Sequence, residues 1–183
     1  EILPKVITSD LLKAPGIDKL ISATQIPYPR NSVAAFFLID VLHHIKDPEK
    51  AFREMERSLK TGGKIIMIEP FNCLWGGLIY RWHHENFDPK ADWKIKGRGR
   101  MSDSNTAMPW IIFVRDRKIF EKKFPNLKKI KLYPHSPFKY LISGGLTNYQ
   151  FLPTFTYPLI RLFDDKISKL FPQISMFVTV ELE

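Results

Sequence analysis

The stretch that decides the fold is Phe37–Pro70, which reads FLIDVLHHIKDPEKAFREMERSLKTGGKIIMIEP. The apolar run over residues 33–39 predicts a strand covered on both faces, as in a parallel sheet. Residues 64–69 (KIIMIE) predict a second buried strand. A helical segment lies between them. Strand, helix and strand joined by short links predict a βαβ unit with a right-handed crossover.

The helix between these strands is specified at both ends. Asp47 can cap its first turn, and Pro48 suits its first position. Gly62-Gly63 predicts its end, because glycine tolerates positive φ. Apolar residues recur at helical spacing and predict one buried stripe, formed by Ala51, Phe52, Met55 and Leu59.

Further elements flank this unit. The run KVITS, residues 5–9, predicts a buried strand closed by Asp10, and LISAT, residues 20–24, is another short apolar run. Later elements are a basic helix at 116–124, a strand at 128–133, an amphipathic helix at 159–170 and a closing strand at 176–182. Strands that alternate with helices predict an open α/β sheet with ligands at the carboxyl ends of its strands.

Composition excludes several classes of protein. Hydrophobic residues make up 44% of the 183 and charged residues 26%, as in globular rather than disordered chains. Cys73 is the one cysteine, so there is no internal disulfide framework, and we expect it to be a small buried hydrophobe. No run reaches the roughly 18 apolar residues that span a bilayer, and the first residues do not resemble a signal peptide. We therefore expect a cytoplasmic protein.

The net charge of +9 belongs to one region. Residues 89–131 contain 13 lysines and arginines against four acids, so the rest of the chain is neutral. Such a patch can attract phosphate, an anionic lipid surface or nucleic acid. A solvated helix face kept soluble by lysines explains the same charge.

Two histidine pairs are candidates for chemistry. His43 and His44 follow Asp40, where one of them could act as a general base or orient a substrate. Alternatively, both only close the loop. His83, His84 and Glu85 are candidate metal ligands. However, adjacent imidazoles point apart, and the spacing does not fit the H-E-x-x-H pattern. We therefore expect no metal.

The ends of the predicted strands carry a resemblance. ITSD ends in Asp10, ISATQIPYP carries Ser22, and FFLIDVLHHIKDP carries Asp40. Together with LKTGGKIIMIEP, this series resembles the class I (seven-stranded, Rossmann-like) S-adenosylmethionine-dependent methyltransferases, in their small-molecule "methyltransferase type 11" branch. The resemblance is dense from Val6 to Pro70. It implies a Rossmann-like, mostly parallel sheet with helices on both faces and a C-terminal antiparallel strand.

The resemblance also implies S-adenosylmethionine as the cofactor. Asp10 matches an acid that accepts hydrogen bonds from both ribose hydroxyls. Ser22 stands where the family often has an acid near the adenine, which weakens that contact. Asp40 matches the position where the fourth strand passes the methionine end. The candidate cofactor residues are Asp10, Leu11, Ser22, Ala23, Asp40 and Val41.

The family's first strand and glycine-rich turn have no counterpart before Asp10. Residues 1–4 resemble the last turn of the helix that follows that turn. The resemblance therefore implies an N-terminally truncated fold, with severely reduced cofactor affinity in this chain.

We expect a single domain over residues 1–183. Its parts are a cofactor-side βαβ core at 1–70, a lid insertion at 71–115, and a C-terminal helix and strand part at 116–183 with an insertion at 137–170. The lid is rich in aromatic and basic residues. Its aromatic side chains either wall a pocket over the methionine end or belong to the core, and His83, His84 and Glu85 are its candidate substrate residues.

The expected function is methyl transfer to a small, anionic or lipid-linked acceptor. One alternative is a non-catalytic Rossmann-like binding module that has lost the cofactor loop. Another is a nucleic-acid methyltransferase, which the lack of a Pro-Pro-Tyr/Phe motif after the fourth strand disfavours. A peripheral membrane contact through residues 137–158 stays open. The sequence names neither the acceptor nor the oligomeric state.

Overall fold

The computed structural model describes residues 6–76, 79–80, 86–97, 103–127, 130–145 and 149–183. These residues form two sheets. The strands are β1 (Ser9–Asp10), β2 (Lys19–Leu20), β3 (Val33–Ile39), β4 (Leu59–Pro70), β5 (Lys131–His135) and β6 (Phe177–Leu182). β1 and β2 pair with each other in parallel. The larger sheet has the order β3-β4-β6-β5, in which β3 and β4 are parallel and β6 is antiparallel to both neighbours.

Helices connect and cover these strands. They are α1 (Pro48–Ser58), α2 (Met108–Trp110) with a π-helical turn (Ile111–Arg115), α3 (Arg117–Lys123), α4 (Lys139–Ile142) and α5 (Tyr157–Leu170). Short 3₁₀ turns occupy Leu42–His44, Thr154–Thr156 and Pro172–Ile174. The predicted α/β fold with a C-terminal antiparallel strand is confirmed. None of the helices in the described ranges is long and apolar enough to cross a membrane.

The start of α1 is as predicted, but its end is not. The Asp47 carboxylate accepts a hydrogen bond from the Lys50 amide at 3.0 Å, and Pro48 is the first helical residue. The helix ends at Ser58, not at Gly62-Gly63, because Leu59 is already extended and begins β4. A Cβ at Gly63 would lie 2.8 Å from the Ala34 carbonyl oxygen. That glycine therefore serves the close approach of β3 and β4 rather than the helix end.

The core lies between α1, the sheet and the α2–α3 region. Ala51, Phe52 and Met55 are buried, as the helical spacing predicted. The Phe52 ring meets the Phe120 ring edge to face, with centroids 5.1 Å apart, and Phe113 and Phe124 join the same cluster. Each such aromatic pair adds about 0.5–1.5 kcal/mol beyond the burial of its area. This cluster holds α1 against the later part of the chain.

Two expectations about burial are wrong. Val6 and Ile7 are exposed, so residues 6–9 of the predicted segment do not form a buried strand, and β1 begins only at Ser9. In β3, Leu38 is buried, whereas Phe37 and Ile39 are 59% and 65% exposed. The strand is thus covered on one face only, because nothing among the described residues packs over Phe37 and Ile39.

The described aromatic residues of the expected lid pack into the body of the protein. Phe71 belongs to the main core, and Tyr80 packs with Cys73 and Met176 in a second cluster. The Tyr80 hydroxyl donates to the Met176 carbonyl oxygen at 2.5 Å. Cys73 is buried as expected, and burial raises the pKa of its thiol. These contacts favour the core interpretation of the aromatic residues over the pocket interpretation.

Candidate functional site

The chain turns sharply where β3 ends. Asp40 has φ of +54°, in the left-handed region, which aspartate tolerates better than most residues. Its amide donates to the Ile68 carbonyl oxygen at 2.9 Å, so the turn begins in register with β4. The 3₁₀ turn Leu42–His44 follows at once. Non-glycine residues in this conformation concentrate at functional sites.

One buried carboxylate holds this turn. Glu69, near the carboxyl end of β4, is 0% exposed. Its Oε1 accepts hydrogen bonds from the amides of Val41 at 2.9 Å and Leu42 at 2.7 Å, and its Oε2 lies 2.7 Å from Nδ1 of His43. A buried carboxylate is tolerated when donors satisfy its oxygens in this way. Glu69 therefore fixes three consecutive residues of the loop after β3 to the end of β4.

The two histidines have different environments. Nδ1 of His43 faces Oε2 of Glu69, and we assign the ring proton to Nδ1, which then donates to that oxygen. His43 is 2% exposed, whereas His44 is exposed, although the two rings lie with centroids 4.1 Å apart. The His43 carbonyl oxygen also accepts from the Asn105 amide at 2.8 Å. His43 is therefore a fixed part of the loop, and His44 faces outward beside it.

A second group of candidate residues lies at the ends of β1 and β2. Asp10 is exposed, and its Oδ1 accepts from the Leu12 amide at 2.9 Å. The Ile21 amide donates to the Asp10 carbonyl oxygen at 3.0 Å, which places the two strand ends side by side. Ser22 is half-buried, with its Oγ 2.9 Å from Oγ1 of Thr24.

The candidates are distributed over the two sheets. Asp10, Leu11, Ser22 and Ala23 lie at the smaller sheet, and Asp40, Val41, His43 and His44 lie at the larger one. Helix α1 fastens the loop after β2 to the larger sheet. The Arg57 guanidinium donates to the carbonyl oxygens of Ile26 and Tyr28, both at 2.8 Å, and Glu54 accepts from the Ile26 amide at 2.9 Å. Hydrogen bonds from Arg57 and from that amide lower the pKa of Glu54.

Three candidates lie outside the described residues: His83, His84 and Glu85. Within the described ranges, no group of three or more His, Cys, Asp or Glu side chains is arranged to hold a metal ion.

Glu69 is the site residue that sequence reasoning missed. The available signal was a single acid within an otherwise apolar strand, directly before Pro70. A carboxylate within a buried strand needs hydrogen-bond donors. The nearest suitable donors lie at the carboxyl end of the neighbouring parallel strand.

Comparison with known proteins finds similarity to methyltransferases. Residues 6–67 match the family described as a methyltransferase domain. The Ubiquinone/menaquinone biosynthesis C-methyltransferase UbiE of Bdellovibrio bacteriovorus is 28% identical over 92 residues, which cover 47% of this chain and 39% of that protein. A solved S-adenosylmethionine-dependent methyltransferase of Thermotoga maritima, titled a possible histamine N-methyltransferase, has a TM-score of 0.53 at 12% identity. That alignment covers 91% of this chain and 64% of the other.

The fold is thus that of the Rossmann-like methyltransferases. Residues 6–67 are similar to the methyltransferase domain family, and the sequence similarity to the Bdellovibrio C-methyltransferase extends over 92 residues. The chain spans less than half the length of its curated relative and less than two thirds of the solved structure.

Proposed function

We propose that the protein transfers a methyl group from S-adenosylmethionine to a small acceptor that is anionic or lipid-linked. One observation carries the proposal: all six candidate cofactor residues lie inside the segment that matches the methyltransferase domain family. They also follow the carboxyl ends of parallel strands, where open α/β sheets bind their ligands.

The donors and acceptors of these residues fit a nucleoside-containing cofactor. Asp10 is exposed, and its Oδ2 accepts no hydrogen bond from the described residues, so this carboxylate suits the two ribose hydroxyls. Ser22 supplies a hydroxyl and Ala23 a small surface for the flat adenine ring. Asp40 and Val41 suit the methionine end. When bound, S-adenosylmethionine supplies an electrophilic methyl group on a positively charged sulfur.

In this proposal the histidines position groups. Methyl transfer depends mainly on holding the acceptor in line with the methyl group, so a strong base is not required. His43 keeps the loop after β3 in place through Glu69. His44, which is exposed beside it, is the better candidate for contact with the acceptor. His83, His84 and Glu85 stay candidate substrate residues.

Charge and similarity support the class of acceptor. The 13 basic residues among 89–131, against four acids, favour an anionic molecule. The Bdellovibrio relative is named for ubiquinone and menaquinone biosynthesis, and quinones of this kind are lipids. A lipid-linked acceptor agrees with that name.

Calorimetric titration of the full natural protein with S-adenosylhomocysteine tests the proposal. We expect saturable binding that Asp10→Ala weakens roughly tenfold or more, since a hydrogen bond to a charged group contributes about 1.5–3 kcal/mol. Asp92→Ala, at an exposed aspartate outside the matched segment, is the control and should bind like the wild type. Absence of binding by the wild type would overturn the proposal in favour of a non-catalytic module. Labelled methyl groups recovered in lipid rather than aqueous extracts would then identify the acceptor class.

A further inference from the structure

Helix α5 (Tyr157–Leu170) turns its apolar face outward. Leu159, Leu162, Phe163 and Leu170 share one face by helical spacing, and they are between 59% and 72% exposed. The opposite face carries Asp164, which is 2% exposed, and Ser168, which is also buried. This is the reverse of the usual arrangement, in which a surface helix buries its apolar stripe.

Buried hydrogen bonds fix this orientation. Oδ1 of Asp164 accepts from the backbone amides of Phe138 at 2.8 Å and Lys139 at 3.0 Å, at the beginning of α4. The Ser168 hydroxyl donates to the Asp164 carbonyl oxygen at 2.9 Å. Rotation of α5 to bury its leucines would strip these donors of their acceptor. The apolar face is therefore held outward by the fold.

Exposed aromatic side chains also lie on both sides of α5 in the sequence. Phe155 is 84% exposed just before α5, and Phe171 is exposed just after it. Tyr149 and Phe151 lie exposed in the preceding segment, with their rings in edge contact at 5.5 Å. We call α5 with these four aromatic residues the α5 surface. Large contiguous apolar patches on a protein surface mark interaction sites, and this concentration of exposed apolar side chains is a candidate for one.

The charge around the α5 surface is positive. Within α5, three basic residues, Arg161, Lys166 and Lys169, stand against two acids, Asp164 and Asp165. Asp164 is buried, and Asp165 forms ion pairs with Lys139 at 3.3 Å and Arg161 at 3.7 Å. Lys166 and Lys169 are exposed within α5, on the half of the helix that carries the leucines.

We propose that the α5 surface docks the protein onto an anionic phospholipid membrane. A helix that lies in the membrane interface places its apolar face at the boundary of headgroups and acyl chains, with lysines reaching the anionic headgroups. A second copy of the chain would instead bring two positively charged surfaces together, which like-charge repulsion disfavours. The proposal concerns binding alone and does not depend on methyl transfer.

Cosedimentation of the full protein with vesicles tests this inference. We expect binding to vesicles of phosphatidylcholine mixed with phosphatidylglycerol, weaker binding to phosphatidylcholine alone, and a further decrease at high salt. The double variant Leu162→Glu/Phe163→Glu should lose binding. Because both side chains are exposed, its thermal unfolding should match that of the wild type. Ile119→Glu, at an exposed apolar residue of α3, is the matched control and should bind normally.

The lysines provide an independent measure. Lys166→Gln and Lys169→Gln should each weaken binding to the anionic vesicles about fivefold, whereas Lys118→Gln on α3 should not. Equal binding by the wild type and Leu162→Glu/Phe163→Glu would overturn the inference. The inference would also be overturned if the wild type did not bind vesicles but formed a dimer, measured by light scattering, that the double variant did not form. That second result would assign the α5 surface to a second copy of the chain.

Discussion

Removing the Glu69 carboxylate tests whether it holds the turn after β3. In Glu69→Ala, the amides of Val41 and Leu42 and the Nδ1 of His43 all lose their acceptor. Val41 is exposed, so water can replace the carboxylate there, but Leu42 and His43 are buried. Each buried donor left without an acceptor costs about 1–3 kcal/mol, so we expect the free energy of unfolding to fall by about 2–6 kcal/mol. That is a large part of the roughly 5–15 kcal/mol that stabilises a typical domain.

Urea denaturation followed by circular dichroism measures this loss, provided the slope with urea stays unchanged. Glu181→Ala is the control, because its partner Lys64 lies at the surface and such pairs contribute about 1 kcal/mol or less. Should Glu69→Ala fail to fold, Glu69→Gln keeps one oxygen as an acceptor and should lose about 1–2 kcal/mol with the charge. A Glu69→Ala variant as stable as Glu181→Ala would refute the role given to this carboxylate.

Two further predictions concern backbone packing and pH. Gly63→Ala should lower the free energy of unfolding, measured by urea denaturation, by about 1–3 kcal/mol, because the new Cβ would lie 2.8 Å from the Ala34 carbonyl oxygen. An unchanged midpoint of urea denaturation would contradict the close contact between Gly63 and Ala34. Burial lowers the pKa of His135 in the folded protein. The imidazole therefore takes up a proton more readily in the unfolded chain than in the folded one. As a result, the free energy of unfolding decreases as pH falls below about 6.5. His135→Gln should therefore lose less stability than the wild type between about pH 7.5 and 5.5; equal losses would show that this histidine does not titrate on unfolding.

The βαβ unit could be predicted because its signals are local. The apolar runs, the cap at Asp47 and the helical stripe all lie within residues 33–70, and β3 and β4 pair as expected. The predicted end of α1 was wrong because paired glycines occur both at helix ends and where two strands approach each other closely. Only the approach of Ala34 to Gly63, 29 positions apart, decides between these roles.

Contacts between distant residues explain the other differences. Coverage of Phe37 and Ile39 depends on which elements pack over β3, and an apolar run does not contain that information. Glu69 is important because it hydrogen-bonds Val41, Leu42 and His43, which precede it by 26 to 28 positions in the chain. In α5, the amphipathic pattern correctly predicts a helix, but the donors of α4, not the pattern, determine which face turns inward.

The position of β6 constrains how the chain folds during its synthesis. β3, α1 and β4 are close in sequence and can pair while later residues are still being translated. β5 cannot pair when it is first synthesised, because its neighbour in the sheet is β6, which is made more than 40 residues later. Until the ribosome releases β6, one edge of β4 stays open and β5 lacks a partner, which exposes unpaired strands to association with other nascent chains. Among the described strands, β6 is therefore the one that joins β4 to β5.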